Sequence, residues 1–153
     1  YSGKLSDRYD PGILSSAGMG IIVGGLIMLT FLTGNTTYFY LIVSLVVVGL
    51  GFGMFSSPNT NAIMGSVEKK YYGLASGTVG TMRLIGQLIS MGIVMLLFSL
   101  IVGQVEISSE NQAEFLTSAR YSFFIFAILG VAGVVLSSFR IQKDRIRLFK
   151  RNY

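Results

Sequence analysis

Four apolar runs, each long enough to cross a bilayer, alternate with short polar stretches along this chain. The runs cover about residues 12–33, 38–65, 74–103 and 121–139. A helix needs roughly 20 mainly apolar residues to traverse the hydrocarbon core, and every run reaches that length. Strands of a membrane barrel are half as long and alternate between polar and apolar positions. The pattern therefore predicts an all-α integral membrane fold with four transmembrane helices. The first start is well marked, because Asp10 suits a helix cap and Pro11 suits the first helical position, where its missing N–H would be unpaired anyway. The second run is strongly apolar through Phe55. It then turns polar at Ser56-Ser57-Pro58-Asn59-Thr60-Asn61 and stays helical to about Gly65. The chain divides into a leading loop at 1–11, four helices over 12–140 and a basic tail at 141–153.

The charges between the runs fix an orientation. Lys4 and Arg8 precede the first run, Lys69 and Lys70 lie between the second and third, and Arg140, Lys143, Arg145, Arg147, Lys150 and Arg151 follow the fourth. The alternate loops are Gly34-Asn35-Thr36-Thr37, without charge, and 104–118, which carries Glu106, Glu110 and Glu114 and no basic residue. Basic loops favour the cytoplasmic side. The expectation is a multi-pass protein of the cell membrane with both ends of this chain in the cytoplasm.

Composition agrees with lipid as the solvent. Hydrophobic residues make up 52% of the chain and charged residues 12%, where soluble domains carry about a quarter charged residues. The chain has no Cys and no His, which removes thiolate chemistry, disulfides and the commonest metal ligand. No Asp or Glu falls within any of the four runs. Little is left for intramembrane acid–base or metal catalysis. No enzyme activity, cofactor or nucleic-acid partner is expected. The chain opens on Tyr1 inside a polar, motif-like stretch, which reads as the C-terminal part of a longer protein.

Several features suggest chemistry. Gly18-Met19-Gly20 with Gly24, and Gly49-x-Gly51-x-Gly53, look like dinucleotide fingerprints, but such a fingerprint follows a strand within a βαβ unit and these lie inside apolar runs. Helix packing is the better reading: Gly20 and Gly24, and Gly73 and Gly77, are spaced to share a helix face, and Gly80, Gly86 and Gly92 add small sites. The stretch Pro58-Asn59-Thr60-Asn61 has two readings, a wall of an aqueous cavity or a kink with structural hydrogen bonds, since polar groups at membrane depth face protein or water. Arg83 is the one charge well inside a run. It either contacts substrate or a distant carboxylate, or sits at the inner interface and snorkels to headgroups. Gln87 lies one turn further on the same face. Glu106, Glu110 and Glu114 recur at helical spacing, as a cation-attracting vestibule or a solvated helix. Asn35-Thr36-Thr37 fits a glycosylation sequon but hugs the membrane. The tail, mixing Ile146, Leu148 and Phe149 with basic residues, either lies on the anionic leaflet or is solvated.

Two stretches carry a family resemblance. Gly3-Lys4-Leu5-Ser6-Asp7-Arg8-Tyr9-Asp10 resembles the Gly-x-Leu-x-Asp-Arg-x-Gly loop of the major facilitator superfamily. Asp10 replaces the last Gly, and the basic pair expected after it is missing, as in the weaker second-half copy. Gly49-Leu50-Gly51-Phe52-Gly53, Pro58, Gly73-Leu74-Ala75-Ser76-Gly77, Arg83 and Gly86 resemble the drug:proton antiporter branch. The resemblance implies the closing four helices of a transporter whose two halves rock about a central cavity. It places the second and third helices on the cavity, with Pro58, Asn59, Asn61, Arg83 and Gln87 as substrate candidates, and makes the first and fourth helices supports. Asp7 and Arg8 would form a conformational latch, and the coupling carboxylates would lie in the first half. Implied partners are membrane lipids, a small-molecule substrate and the missing N-terminal helices.

Two functions from different classes follow. The first is proton-driven export of small hydrophobic or amphiphilic compounds by alternating access, of the multidrug efflux type. The second is a membrane scaffold or assembly subunit that acts through helix association. Further spans encoded upstream of Tyr1 would favour the first, and a stop codon there the second.

Overall fold

The computed structural model describes residues 11–103 and 112–151. The described residues form α1 (Pro11–Thr30), α2 (Tyr38–Gly65), α3 (Tyr72–Ile101) and α4 (Gln112–Arg151), with a single 3₁₀ turn at Lys69–Tyr71 before α3. The fold is all-α, and each of the four helices is long and apolar enough to cross a membrane. Asp7, Arg8, Glu106 and Glu110 lie outside the described residues, so the latch and most of the acidic trio have no structural counterpart here.

The helix ends follow local chemistry. α1 starts at Pro11, as expected, but ends at Thr30 rather than 33. Its chain then turns through Thr33 and Thr36, where the Thr33 N–H donates to the Thr36 hydroxyl at 2.7 Å and the Thr36 N–H to the Thr33 carbonyl at 2.9 Å. The last four carbonyls of any helix lack intrahelical partners, and other elements supply some of them here. Tyr40 Oη donates to the Met28 carbonyl at 2.8 Å, and Arg120 Nε donates to the Thr30 carbonyl at 2.9 Å. Arg120 is thus a basic group at the loop-31–37 end of the bundle, the end otherwise free of Lys and Arg. Its charge complements the negative end of the α1 dipole.

α4 departs furthest from expectation. Its apolar part covers Gln112–Ser137, but the helix runs without a break to Arg151, 40 residues in all. At 1.5 Å per residue that is about 60 Å, twice a hydrocarbon core of about 30 Å. The basic tail continues the helix rather than starting a separate segment. Glu114 occupies the first turn of α4, where a carboxylate suits the positive end of the helix dipole.

α1 is the central helix of the chain: it packs along α2 on one side and α4 on the other, while α3 contacts α4 and touches α2 only lightly. The α1–α2 crossing is built on glycine. A Cβ placed on Gly18 would lie 2.6 Å from the Phe55 nitrogen and 2.9 Å from the Gly51 carbonyl oxygen, and one on Gly51 would lie 2.8 Å from the Gly18 oxygen. Two backbones therefore touch directly. Without a hydrophobic drive between helices in lipid, such close packing is a main source of association. Gly25, one heptad further along, is met chiefly by the Val48 side chain. On the other side, small residues of α4 admit α1 side chains: Gly130 receives Val23 and Gly133 receives Met19. Ser16 and Ser137 close that contact with a hydroxyl–hydroxyl bond of 2.6 Å.

Four glycines picked for packing do not pack within this chain. Gly20, Gly24, Gly73 and Gly77 have no atom within 4 Å of an added Cβ. The reason is helical register. Gly25 follows Gly18 by seven residues, within about 20° of the same face, whereas Gly20 is rotated by about 200°. α3 has no buried residue among those described, and neither Gly73 nor Gly77 meets a neighbouring helix closely. Phe98 meets Phe115 of α4 edge-to-face at 5.2 Å near the far end of α3.

Candidate functional site

The light contact between α2 and α3 leaves a groove of about 540 Å³ between them. One wall is a single face of α2: Gly53, Ser56, Ser57, Thr60, Asn61 and Met64, at spacings of three and four that a helix brings into line. The other wall is Ser76, Val79, Gly80 and Arg83 of α3, again at helical spacing. In a chain this apolar, the groove concentrates hydroxyl, amide and guanidinium groups. The glycines keep it wide, since neither Gly53 nor Gly80 has an atom within 4 Å of an added Cβ.

The groove lies in the part of the bundle nearest the end where α2 joins α3 through residues 66–71. From that end, Asn61 lies about 6 Å along α2 and Arg83 about 16 Å along α3, at 1.5 Å per residue. Arg83 is therefore the deepest polar side chain of the groove, about 5 Å short of the middle of α3. A charge at a helix centre costs about 2.5–3.5 kcal/mol to insert into the bilayer. No carboxylate lines the groove, and Arg83 has no hydrogen bond or ion pair among the described residues. The side chains of Ser57, Asn61 and Ser76 are likewise without partners there, while the Thr60 hydroxyl donates back to the Ser56 carbonyl at 2.9 Å.

The link beside the groove is basic. Lys69 and Lys70 are both exposed in the short link between the two walls. Glu68 pairs with Lys70 at 2.8 Å, and Lys70 also lies 4.8 Å above the Tyr71 ring. Both partners of that pair are more than half exposed, so it contributes at most about 1 kcal/mol.

Of the five substrate candidates, Asn61 and Arg83 come together across the groove and three do not join them. Pro58 is fully buried. It lies seven residues beyond Gly51 on the face that meets α1, and the carbonyl it frees, that of Met54, sits at the Gly18 crossing. Asn59 points away from the groove face by about 200° relative to Ser57 and is half-buried. Gln87 continues the Arg83 face one turn beyond the groove and is exposed. Reading Pro58-Asn59-Thr60-Asn61 as one wall passed over the helical rule that only residues three or four apart share a face. The same spacing rule would have found Ser57, Thr60, Ser76 and Gly80.

A second pocket, about 310 Å³ and lined by Thr30, Thr117, Arg120, Tyr121 and Phe124, lies at the opposite end. Its cation is already engaged by the Thr30 carbonyl, so it offers little unspent polarity. Nearby on α4, the Ser118 hydroxyl is buried without a hydrogen-bond partner among the described residues.

Comparison with known proteins adds the wider setting. The sequence profile of the Major Facilitator Superfamily matches residues 1–150. An uncharacterized transporter of Escherichia coli K12, YebQ, is 31% identical over 146 residues, which is 95% of this chain and 29% of that protein. The riboflavin transporter RibZ of Clostridioides difficile 630 is 24% identical over 142 residues, 93% of this chain and 31% of RibZ. The chain thus spans less than a third of the length of these relatives. No solved structure matches it significantly.

Proposed function

The chain belongs to the Major Facilitator Superfamily, and on that premise we propose that it forms part of a secondary transporter that exports small hydrophobic or amphiphilic compounds, driven by protons, through alternating access. The observation that carries this reading is the groove between α2 and α3. It is a groove whose polar side chains reach about 16 Å into a span, in a chain of mainly apolar helices. Large apolar residues exposed around α3, such as Leu74, Leu84, Leu88, Leu96 and Leu100, suit lipid or further helices of the same transporter.

In this reading α2 and α3 contribute one wall of the transport pathway. The α1 crossing at Gly18 and Gly51 holds α2 as a rigid support, and the end at residues 66–71 faces the cytoplasm. The remaining helices complete the cavity and carry the titratable groups that couple to protons, since no carboxylate stands in the described groove.

The test is transport by the full-length protein in proteoliposomes under an imposed pH gradient, with a panel of amphiphilic dyes that includes riboflavin because one relative is named for it. Gradient-dependent movement of at least one compound, lost when the gradient is collapsed, is the expected result. Absence of movement across the whole panel contradicts the reading. This chain reconstituted alone is expected to transport nothing, and uptake by it alone would overturn the assignment of the cavity to two partners.

A further inference from the structure

We propose that Arg83 makes the α2–α3 groove a recognition site for negative charge, so that the transported amphiphiles are those bearing a carboxylate, phosphate or sulfonate group. The inference rests on the transport reading above and sharpens its substrate class.

Three features of the groove point the same way. The first is stoichiometry of charge. Arg83 is the one charged residue lining the groove among the described residues, and no group among them pairs with it. An unpaired guanidinium within an apolar span favours an anionic partner, and its fork of N–H donors matches a carboxylate or phosphate with two parallel bonds. The second is what surrounds it. Ser57, Asn61 and Ser76 bring neutral donors and acceptors with no partner of their own among the described residues. They can complete the hydrogen-bond shell of an anion without opposing its charge. The third is the approach. Lys69 and Lys70 stand exposed in the link that joins the two walls, and only one of them is paired, with Glu68. The link beside the groove is therefore net positive, a field that raises the local concentration of anions near it.

A cationic amphiphile would meet the reverse. It would meet a positive link beside the groove and a like charge at its deep end, with no carboxylate on either described wall. The apolar remainder of such a substrate has a place to lie, because Met64 and Val79 line the same groove.

The experiment uses the full-length transporter in proteoliposomes and matched dye pairs that share one apolar body and carry a carboxylate, the corresponding amide or an amine. Wild type is expected to move the carboxylate at least tenfold faster than the amide and to move the amine least. Arg83→Gln is expected to lose most carboxylate transport while retaining amide transport, and Arg83→Lys to keep part of the preference. Equal loss of all three compounds in both variants would overturn the proposal and assign Arg83 to a structural pair elsewhere in the protein. So would a wild type that shows no preference for the carboxylate. Ligand-induced thermal stabilisation of the purified protein separates the two readings. Carboxylate-selective stabilisation that Arg83→Gln removes, without transport of any dye, supports the anion site and contradicts the transport reading. Transport of amine and carboxylate alike, with no selective stabilisation, does the opposite.

Discussion

Replacing Gly18 with alanine places a methyl carbon 2.6 Å from the Phe55 nitrogen and 2.9 Å from the Gly51 oxygen. Ordinary contact begins near 3.4 Å, so α1 and α2 must separate by about 0.8 Å along their crossing. Both obstacles are backbone, so no side chain can rotate aside. A gap of that size forfeits roughly a quarter to a half of the dispersion energy of the contacts it opens. Overpacking of this kind costs about 1–3 kcal/mol, and a backbone obstacle puts Gly18→Ala near the upper end. Alanine returns up to about 1 kcal/mol in helix propensity. The net expectation is a destabilisation of about 2 kcal/mol. The assay is a denaturant titration of the purified full-length protein in detergent, with Gly51→Ala and the double variant alongside. Both methyl groups fill one crossing, and a single separation accommodates both, so the double variant should cost less than the sum of the singles by about 1 kcal/mol. Gly20→Ala, which meets nothing within 4 Å in this chain, should not destabilise. Wild-type stability for Gly18→Ala, or strict additivity with Gly51→Ala, would refute the backbone contact.

Three further outcomes follow from particular groups. Ser118→Ala removes a buried hydroxyl with no partner among the described residues and should stabilise the protein by about 1 kcal/mol, read in the same titration. Arg120→Ala leaves the Thr30 carbonyl without its charged donor. It should cost about 1.5 kcal/mol while leaving the substrate profile unchanged, because this contact lies at the end opposite the groove. Asn61→Ala should alter relative transport rates across a substrate panel, whereas Asn59→Ala should not, since only Asn61 lines the groove.

Span number and helical class were legible in the sequence because each apolar run exceeds the length that lipid demands. Helix ends were less so. The end of α1 depends on partners far along the chain, Tyr40 and Arg120, whose hydrogen bonds no local pattern announces. Packing glycines were read from pair spacing alone. Spacing gives a face but not the direction it points, and the close contacts fell on Gly18, Gly25 and Gly51 instead of Gly20 and Gly24. The groove was half legible. Pro58 drew attention to the right segment, yet it packs on the opposite side from the polar residues around it. Arg83 stood out as a lone intramembrane charge, but its pairing with the Asn61 face required the placement of α3 against α2.

The central claim is that the α2–α3 groove is a water-accessible path rather than a lipid-filled or packed seam. The chain contains no Cys, so single cysteines can be introduced into an otherwise cysteine-free full-length protein and challenged with a charged, membrane-impermeant thiol reagent from the cytoplasmic face. Asn61→Cys, Ser76→Cys and Gly80→Cys should react readily and be protected by transported substrate. Phe52→Cys and Leu88→Cys, on exposed apolar surfaces away from the groove, should react slowly or not at all. Reaction of the three groove cysteines no faster than the two apolar controls would contradict the account.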